Sequence, residues 1–159
     1  MDKTLLALCL FFSLATARIK AQGVSLPPTE DILNKTEKTI FAFAKTNQLV
    51  FLMREKHEGI ISLSFYTSEK SVIYQFFFIK SAFASRKKCF TYVITLSDKT
   101  TYETLTKQIH ELCTTNVNPE SCLQQKGSAT CLWHYSGSDK SSLYSITCQK
   151  SKALTRLGS

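Results

Sequence analysis

The sequence predicts a predominantly β, α+β fold, in which an antiparallel sheet is combined with an N-terminal helix and a C-terminal helix. Four segments between residues 48 and 96 are rich in β-branched and aromatic residues, and polar connections such as "KHEG" and "TSEK" separate them. Because connections this short cannot cross over a sheet, successive strands should pair antiparallel. The number of cysteines adds a third feature, since it predicts a disulfide-containing domain.

The first residues predict export from the cell. Lys3 precedes an apolar run from Leu5 to Ala15, and Ala15-Thr16-Ala17 has the small-x-small pattern that signal peptidase cleaves. The run is shorter than the roughly 20 residues of a membrane-spanning helix. We therefore expect a signal peptide at residues 1–17, an extended leader at 18–28 and one secreted, extracellular domain at 29–159.

The first predicted element is a helix that begins at Thr29. Thr29 is the expected N-cap, and Glu30 and Asp31 lie in the first turn, where the helix dipole favours acidic side chains. The end of this helix is open. The segment "TIFAFA", residues 39–44, fits a helix that continues to about Asn47 and equally fits a strand that carries Phe41 and Phe43 on one side.

The strand segments follow as "QLVFLMRE", "GIISLSFY", "SVIYQFFFIK" and "CFTYVITL". The third has apolar residues on both faces, because Tyr74, Phe76 and Phe78 alternate with Ile73 and Phe77. A strand with one solvated face would alternate apolar with polar residues, so the second face should be covered by protein, a partner chain or a ligand. If the covering group is a ligand, aromatic residues of this strand, together with Phe65 and Trp133, are candidates for binding it: Phe65, Tyr74, Phe76, Phe77, Phe78 and Trp133.

Three elements complete the predicted domain. Leu105, Ile109 and Leu112 recur at helical spacing, which predicts a helix over Tyr102 to Cys113. The segment "TTNVNPES" is typical of a loop. The segments "TCLWHYS" and "SLYSITC" predict a final hairpin.

The cysteines are the principal chemical feature of the chain. One of the six cysteines, Cys9, leaves with the signal peptide, and five candidates for disulfide bonds remain: Cys89, Cys113, Cys122, Cys131 and Cys148. The odd number predicts that one thiol is free or bonded to another molecule. No CxxC pair or spaced histidine cluster indicates a metal site.

Neither catalysis nor a cofactor is predicted, because nucleophile elbows, zinc-protease helices and glycine-rich phosphate loops are absent from the sequence. The net charge of +8 comes from scattered lysines, with Arg86-Lys87-Lys88 as the one dense run. We expect neither nucleic acid nor membrane as a partner, because three basic residues are fewer than such sites use. Asn34-Lys35-Thr36 is a sequon, which predicts a glycan at Asn34 in an exported chain.

Parts of the chain resemble the lipocalins of arthropod saliva, especially those of ticks. The segment "DILNKTEKTIFAFAKTN" is similar to their opening, in which a short helix leads into the first barrel strand. "KKCFTYVITL" and "TYETLTK" resemble two later strands, and "NPESC" with "LYSITCQK" resembles the ending. The resemblance implies a small antiparallel barrel with a bond between Cys89 and Cys122. It also implies a non-enzymatic protein that sequesters a small apolar or amine ligand, such as a host mediator of inflammation or haemostasis.

A second resemblance is to the cystatins and the cathelicidin pro-regions. The order C-x(8)-C-x(8)-C-x(16)-C from Cys113 to Cys148 is similar to the two consecutive disulfides of that fold, and "TIFAFAKTN" looks like the end of its helix. This alternative implies a sheet wrapped on one helix, with bonds Cys113–Cys122 and Cys131–Cys148. The inhibitory hairpins of cystatins are missing, so it implies a secreted protein that acts on a protein partner without protease inhibition. The odd cysteine and the strand with two apolar faces are also compatible with a disulfide-linked or strand-paired dimer.

Overall fold

The structure, a computed structural model, describes residues 24, 26–69, 71–80, 86–126, 129–138 and 142–151. The predicted signal peptide and most of the predicted leader therefore lie outside the described residues. The elements are, in chain order, α1 (Thr29–Ile32), α2 (Glu37–Thr46), β1 (Val50–His57), β2 (Ile60–Tyr66), β3 (Val72–Ile79), β4 (Lys88–Leu96), α3 (Lys99–Leu112), β5 (Thr115–Asn118), β6 (Ser121–Lys126), β7 (Ala129–Ser138) and β8 (Leu143–Lys150).

All eight strands form one antiparallel sheet in the order β1-β2-β3-β4-β8-β7-β6-β5. The chain thus consists of two similar halves, each a helix followed by a four-stranded meander, and the halves join where β4 pairs with β8. The predicted antiparallel, predominantly β fold is confirmed. The predicted barrel is not present, because this order leaves β1 and β5 at opposite edges and they do not pair within the described part of the chain.

The core lies on one face of the sheet. Residues directly opposite each other in the strand register share a face, and Leu63, Phe76, Tyr92, Cys148 and Trp133 follow one another across five strands in this way. All five are at most 1% exposed. Both long helices pack on this face, α2 across the first half and α3 across the second.

The ambiguous residues 39–44 are helical, as the cystatin-like alternative predicts. Ile40 and Ala44 are four residues apart on one helical face and both are buried. Phe43 packs edge-on against Phe76 of β3, with ring centroids 6.1 Å apart, and Phe41 packs in the same way against Phe65 of β2, at 5.4 Å. The lipocalin-like expectation of a strand at Phe41 and Phe43 is therefore wrong.

The predicted helix start at Thr29 needs two corrections. Pro28 occupies the N-cap position, and Thr29 is the first helical residue and is buried. The helix also breaks after Ile32, because the backbone of the next residues pairs with β4. The Asn34 N–H donates to the Cys89 carbonyl at 2.8 Å, and the Cys89 N–H donates to the Lys35 carbonyl at 2.9 Å. A continuous helix could not make these two bonds.

The predicted C-terminal helix is present as α3. The Asp98 side chain accepts a hydrogen bond from the Thr101 N–H at 2.7 Å, which caps the first turn. Leu105 and Ile109 are buried, whereas Leu112 is 47% exposed. The segment "TYETLTK" is consequently helical, and its resemblance to a lipocalin strand is contradicted.

The loop predicted at "TTNVNPES" is wrong, because β5 and the start of β6 form a hairpin there. The Glu120 N–H donates to the Asn118 side chain at 2.9 Å and stabilises the turn. A disulfide from Cys113 at the end of α3 to Cys122 of β6 ties the hairpin to the helix. The predicted final hairpin, β7 with β8, is confirmed.

Candidate functional site

Five of the six aromatic residues predicted to bind a ligand lie in the packed core. Phe65, Tyr74, Phe76, Phe78 and Trp133 are at most 4% exposed and share the face that the helices cover. A continuous series of rings from Phe65 through Phe76 and Tyr92 to Trp133, with centroids about 6 Å apart, packs this interior. Packed aromatic rings therefore fill the region in which the barrel hypothesis expects a cavity.

The sixth candidate, Phe77, lies on the other face of the sheet. It is half-buried, as is Ile73, and Ile79 is exposed. Their neighbours on that face include Ser62, opposite Phe77, and Gln75, so the face mixes polar and apolar side chains. Within the described residues, neighbouring side chains in the sheet account for the partial burial of Phe77.

An apolar surface lies instead at the edge of the sheet. Phe41 of α2 and four consecutive residues of β1, Val50 to Met53, are each 41–46% exposed, and together they form what we name the β1 edge surface. β1 pairs with β2 on one side, and no described strand pairs with its other side. Unpaired backbone groups and apolar side chains therefore occur together at one place.

Two contacts hold the β1 edge surface in position. Phe51 and Phe41 both pack against the buried Phe65, and their own ring centroids are 5.5 Å apart. Arg54 forms an ion pair with Glu37 of α2, with a distance of 3.0 Å between Nε and Oε2. The register shifts between Phe51 and Met53, so Leu52 is a bulge residue without a direct partner on β2. The exposed aromatic rings are thus preordered by the core.

The opposite edge of the sheet has a different composition. β5 has four residues, Thr115–Asn118, and three of them are polar. Short polar edge strands are a common protection against pairing with other chains. In β1, charged residues Arg54, Glu55 and Lys56 protect the C-terminal half, and the half from Val50 to Met53 lacks such protection.

A second candidate site is a cleft of about 360 Å³ between α1 and the ends of β6, β7 and β8. Thr29, Glu30, Asn34 and Lys35 line one side, and Lys126, Cys131 and Lys150 line the other. Glu30 pairs with Lys126, and the Lys150 Nζ donates to the Asn34 Oδ1 at 3.2 Å. Three lysines against one glutamate make the cleft positive. The exposed Asn34 of the predicted glycosylation site lies at its rim.

Cys131 lines this cleft and is nearly fully buried. Cys148 of β8 is its diagonal neighbour, since Cys131 is opposite Lys150 and Cys148 is opposite Trp133. The neighbouring Cys148 thiol, with smaller contributions from the Thr29 hydroxyl and Lys150, lowers the pKa of Cys131 to about 7. Burial raises the pKa of Cys148. Cys131 is thus the sulfur that ionises first.

The third free cysteine is chemically different. Cys89 of β4 is fully buried, and burial raises the pKa of its thiol to about 12. Its sulfur donates to the Thr91 carbonyl at 3.4 Å. The Cys89–Cys122 bond that the lipocalin resemblance implies is absent, because Cys122 is bonded to Cys113. The second bond of the cystatin-like pairing is also not formed, although Cys131 and Cys148 are diagonal neighbours on adjacent strands.

The chain matches no family model, no curated protein and no solved structure. Among the described residues, no helix has the length and apolar character needed to cross a membrane. The same part of the chain brings together no three potential metal ligands of the His, Cys, Asp and Glu types. Function must therefore be argued from the β1 edge surface and the cleft.

Sequence reasoning did not identify either site. The run Val50 to Met53 is apolar on both faces of its strand, and this signal could have indicated an uncovered edge. The cleft could not have been found, because it depends on the break between α1 and α2.

Proposed function

We propose that this chain is a secreted, non-enzymatic binding protein that takes up an extended segment of a partner protein along β1. The observation that carries the proposal is the β1 edge surface, where an unpaired strand edge coincides with five exposed apolar side chains. In β-strand addition, the backbone of the added segment supplies the hydrogen bonds, and side-chain pockets supply specificity. Phe41 and Phe51 are suited to this role, because rigid aromatic anchors commonly dominate interface energies.

The charge of the chain favours a partner of net negative charge. The formal charge of +8 repels a second copy of the same chain and attracts an acidic protein during diffusional encounter. Exposed Lys45, Arg54 and Lys56 flank the apolar residues together with one exposed carboxylate, Glu55, and Arg54 is paired with Glu37. We therefore expect the bound segment to be apolar at its centre with acidic residues beside it.

A display library of random peptides tests this proposal. Peptides selected on the native chain should share an extended apolar centre with acidic flanks, and Leu52→Lys should weaken their binding at least about tenfold, the effect of losing one interface contact of ~1.4 kcal/mol. Leu52 suits the test because its side chain is exposed at the bulge. Val117→Lys is the matched control, since Val117 is 53% exposed on the opposite edge strand.

Two outcomes would overturn the proposal. Equal loss of binding in both variants would mean that β1 has no special role. Sedimentation of the chain as a dimer that Leu52→Lys dissociates would assign β1 to a second copy instead.

A small ligand is the second candidate function, and the cleft favours it. Sequestration of an apolar or amine ligand is the function that the lipocalin resemblance implies, and it stays a prediction, although the open sheet provides no barrel interior for the ligand. In the cleft, Lys35 and Lys150 would repel a cationic amine and attract an anion. Native mass spectrometry of the secreted chain should then show an acidic small molecule that is lost in Lys150→Glu. A neutral or cationic molecule that this variant retains would contradict binding in the cleft.

A further inference from the structure

We propose that Cys131 and Cys148 form a redox-active thiol pair that exchanges with anionic low-molecular-weight disulfides entering the positive cleft. The inference is independent of the β1 edge surface. It rests on three observations: two free cysteines at diagonal positions of adjacent strands, a cleft that reaches one of them, and lysines around that cleft.

The two thiols have unequal access to the cleft. Cys131 lines it and is 5% exposed, whereas Cys148 lies behind it and has no exposed surface. An incoming disulfide can therefore reach the Cys131 sulfur first. Cys148 is positioned to react second, because it is the diagonal neighbour of Cys131 on the adjacent strand.

The charged surroundings support ionisation of the outer thiol. Lys150 lies directly opposite Cys131 on β8 and favours the thiolate, while Glu30 of α1 opposes it. Glu30 pairs with Lys126, which reduces its effect on the sulfur. The other groups near the two thiols are the Thr29 hydroxyl and the buried Tyr92 and Cys89. They carry no charge at neutral pH, because burial raises the pKa of Tyr92 well above its usual range and that of Cys89 to about 12.

The reaction has two steps. The Cys131 thiolate attacks one sulfur of the small disulfide, so that a Cys131 mixed disulfide forms and one small thiolate leaves, taking up the proton that Cys131 released. The Cys148 sulfur then attacks the Cys131 sulfur and expels the second small thiol, which carries away the Cys148 proton. Two protein thiols are oxidised to one disulfide, and one small disulfide is reduced to two thiols.

The geometry requires a modest movement. A disulfide needs an S–S distance of about 2.05 Å, which is shorter than the distance between two thiols in van der Waals contact. The two sulfurs lie on adjacent strands of a regular hairpin, so the closing movement falls on side chains and local sheet twist. The exchange is stoichiometric, one oxidation for each chain, and it is compatible with a non-enzymatic binding function.

Oxidised glutathione is the probe for the experiment, and peptide mapping without reduction is the measurement. The native chain should acquire a Cys131–Cys148 bond, and Cys148→Ala should stop at a glutathione adduct on Cys131. Cys131→Ser should leave Cys148 unmodified. Cys89 is the internal control, because it is fully buried, does not line the cleft and should not react in any variant.

Two further comparisons test the cleft itself. Lys150→Gln, an exposed substitution, should slow the reaction about threefold or more by raising the fraction of neutral thiol. The rate of each small disulfide with the folded chain is divided by its rate with the urea-unfolded chain. This ratio should be larger for the anionic oxidised glutathione than for the neutral 2-hydroxyethyl disulfide. Reaction of Cys89 at the same rate as Cys131 would overturn the proposal, as would an unmodified Cys131 in a folded Cys148→Ala variant.

Discussion

The difference between Phe76 and Phe77 shows what an aromatic pattern can and cannot specify. The sequence places them on opposite faces of β3, and this alternation is present in the structure. Phe76 contacts the rings of Phe43, Phe65 and Tyr92, while Phe77 faces a mixed polar surface. The sequence alone could not assign the roles, because the packing of Phe76 depends on the helical conformation of residues 39–44.

Alanine substitution of these two residues should separate their roles. Phe76→Ala should lower the free energy of unfolding by about 3–5 kcal/mol, because it removes three ring contacts and leaves a cavity in the core. Phe77→Ala should cost about 1–1.5 kcal/mol, since half of that side chain already borders solvent. Urea unfolding of both variants measures the difference. Equal losses would show that the second face of β3 is as tightly packed as the first.

Trp133 depends on a single buried polar contact. Its indole N–H donates to the Gln124 Oε1 of the neighbouring strand at 3.0 Å, and both residues are buried. Gln124→Leu would leave the indole N–H without this acceptor and should destabilise the fold by about 1–3 kcal/mol. Gln125→Leu, at the exposed next position, is the matched control and should change stability little. Similar losses in both variants would mean that the hydrogen bond contributes nothing specific.

At the level of elements, α3 is positioned by a glycine of β7. Gly137 lies opposite Tyr144, and a Cβ added to it would be 2.5 Å from the Tyr144 Cδ1. The Tyr144 ring fills the space over the glycine and stacks on Tyr102 of α3, with centroids 4.9 Å apart. The sequence contains all three residues but does not indicate their contact, because they are brought together only by the β7–β8 register and the placement of α3.

Gly137→Ala should therefore disturb the docking of α3. We expect a loss of about 1–3 kcal/mol, the usual cost of overpacking, because the Tyr144 ring must move off its site. The loss should largely disappear in a Tyr144→Leu background, which removes the ring edge that the new methyl group meets. Thermal unfolding of the native chain, the two single variants and the double variant gives the coupling free energy between Gly137 and Tyr144. Additive effects would show that the glycine acts through backbone freedom alone, and Ser136→Ala on the same strand is the control.

Elements with strong patterns were predictable from the sequence, and elements with weak patterns were not. The strands around Phe65, Phe76 and Tyr92 and the helix around Leu105 follow from composition and period. The hairpin of β5 and β6 was missed because "TNVN" and "SCLQQK" are polar, so that tertiary pairing and the Cys113–Cys122 bond decide their conformation. The break before α2 was missed because it depends on the backbone pairing of Asn34 and Lys35 with Cys89, far along the chain.

For the whole molecule, the main question is whether its two halves unfold as one unit. The helix-and-meander arrangement occurs twice, although the sequence shows no repeat, and the two halves meet at β4 and β8. The series of rings does not stop at this junction. Tyr92 of the first half packs edge-on against Trp133 of the second, with centroids 5.9 Å apart, and Ile94 lies opposite Ile146. A shared core predicts one cooperative transition.

The single tryptophan of the chain allows this prediction to be tested. Trp133 reports on the second half, so Leu63→Ala, a fully buried substitution in the first half, should change its fluorescence only through cooperative unfolding. We expect a loss of about 2–5 kcal/mol, with the urea midpoints of fluorescence and far-UV circular dichroism shifted equally. Glu55→Ala on exposed β1 should leave both midpoints in place. A Trp133 transition that stays at the wild-type urea concentration, while the circular dichroism becomes biphasic, would show that the ring contacts across β4 and β8 are too weak to couple the halves.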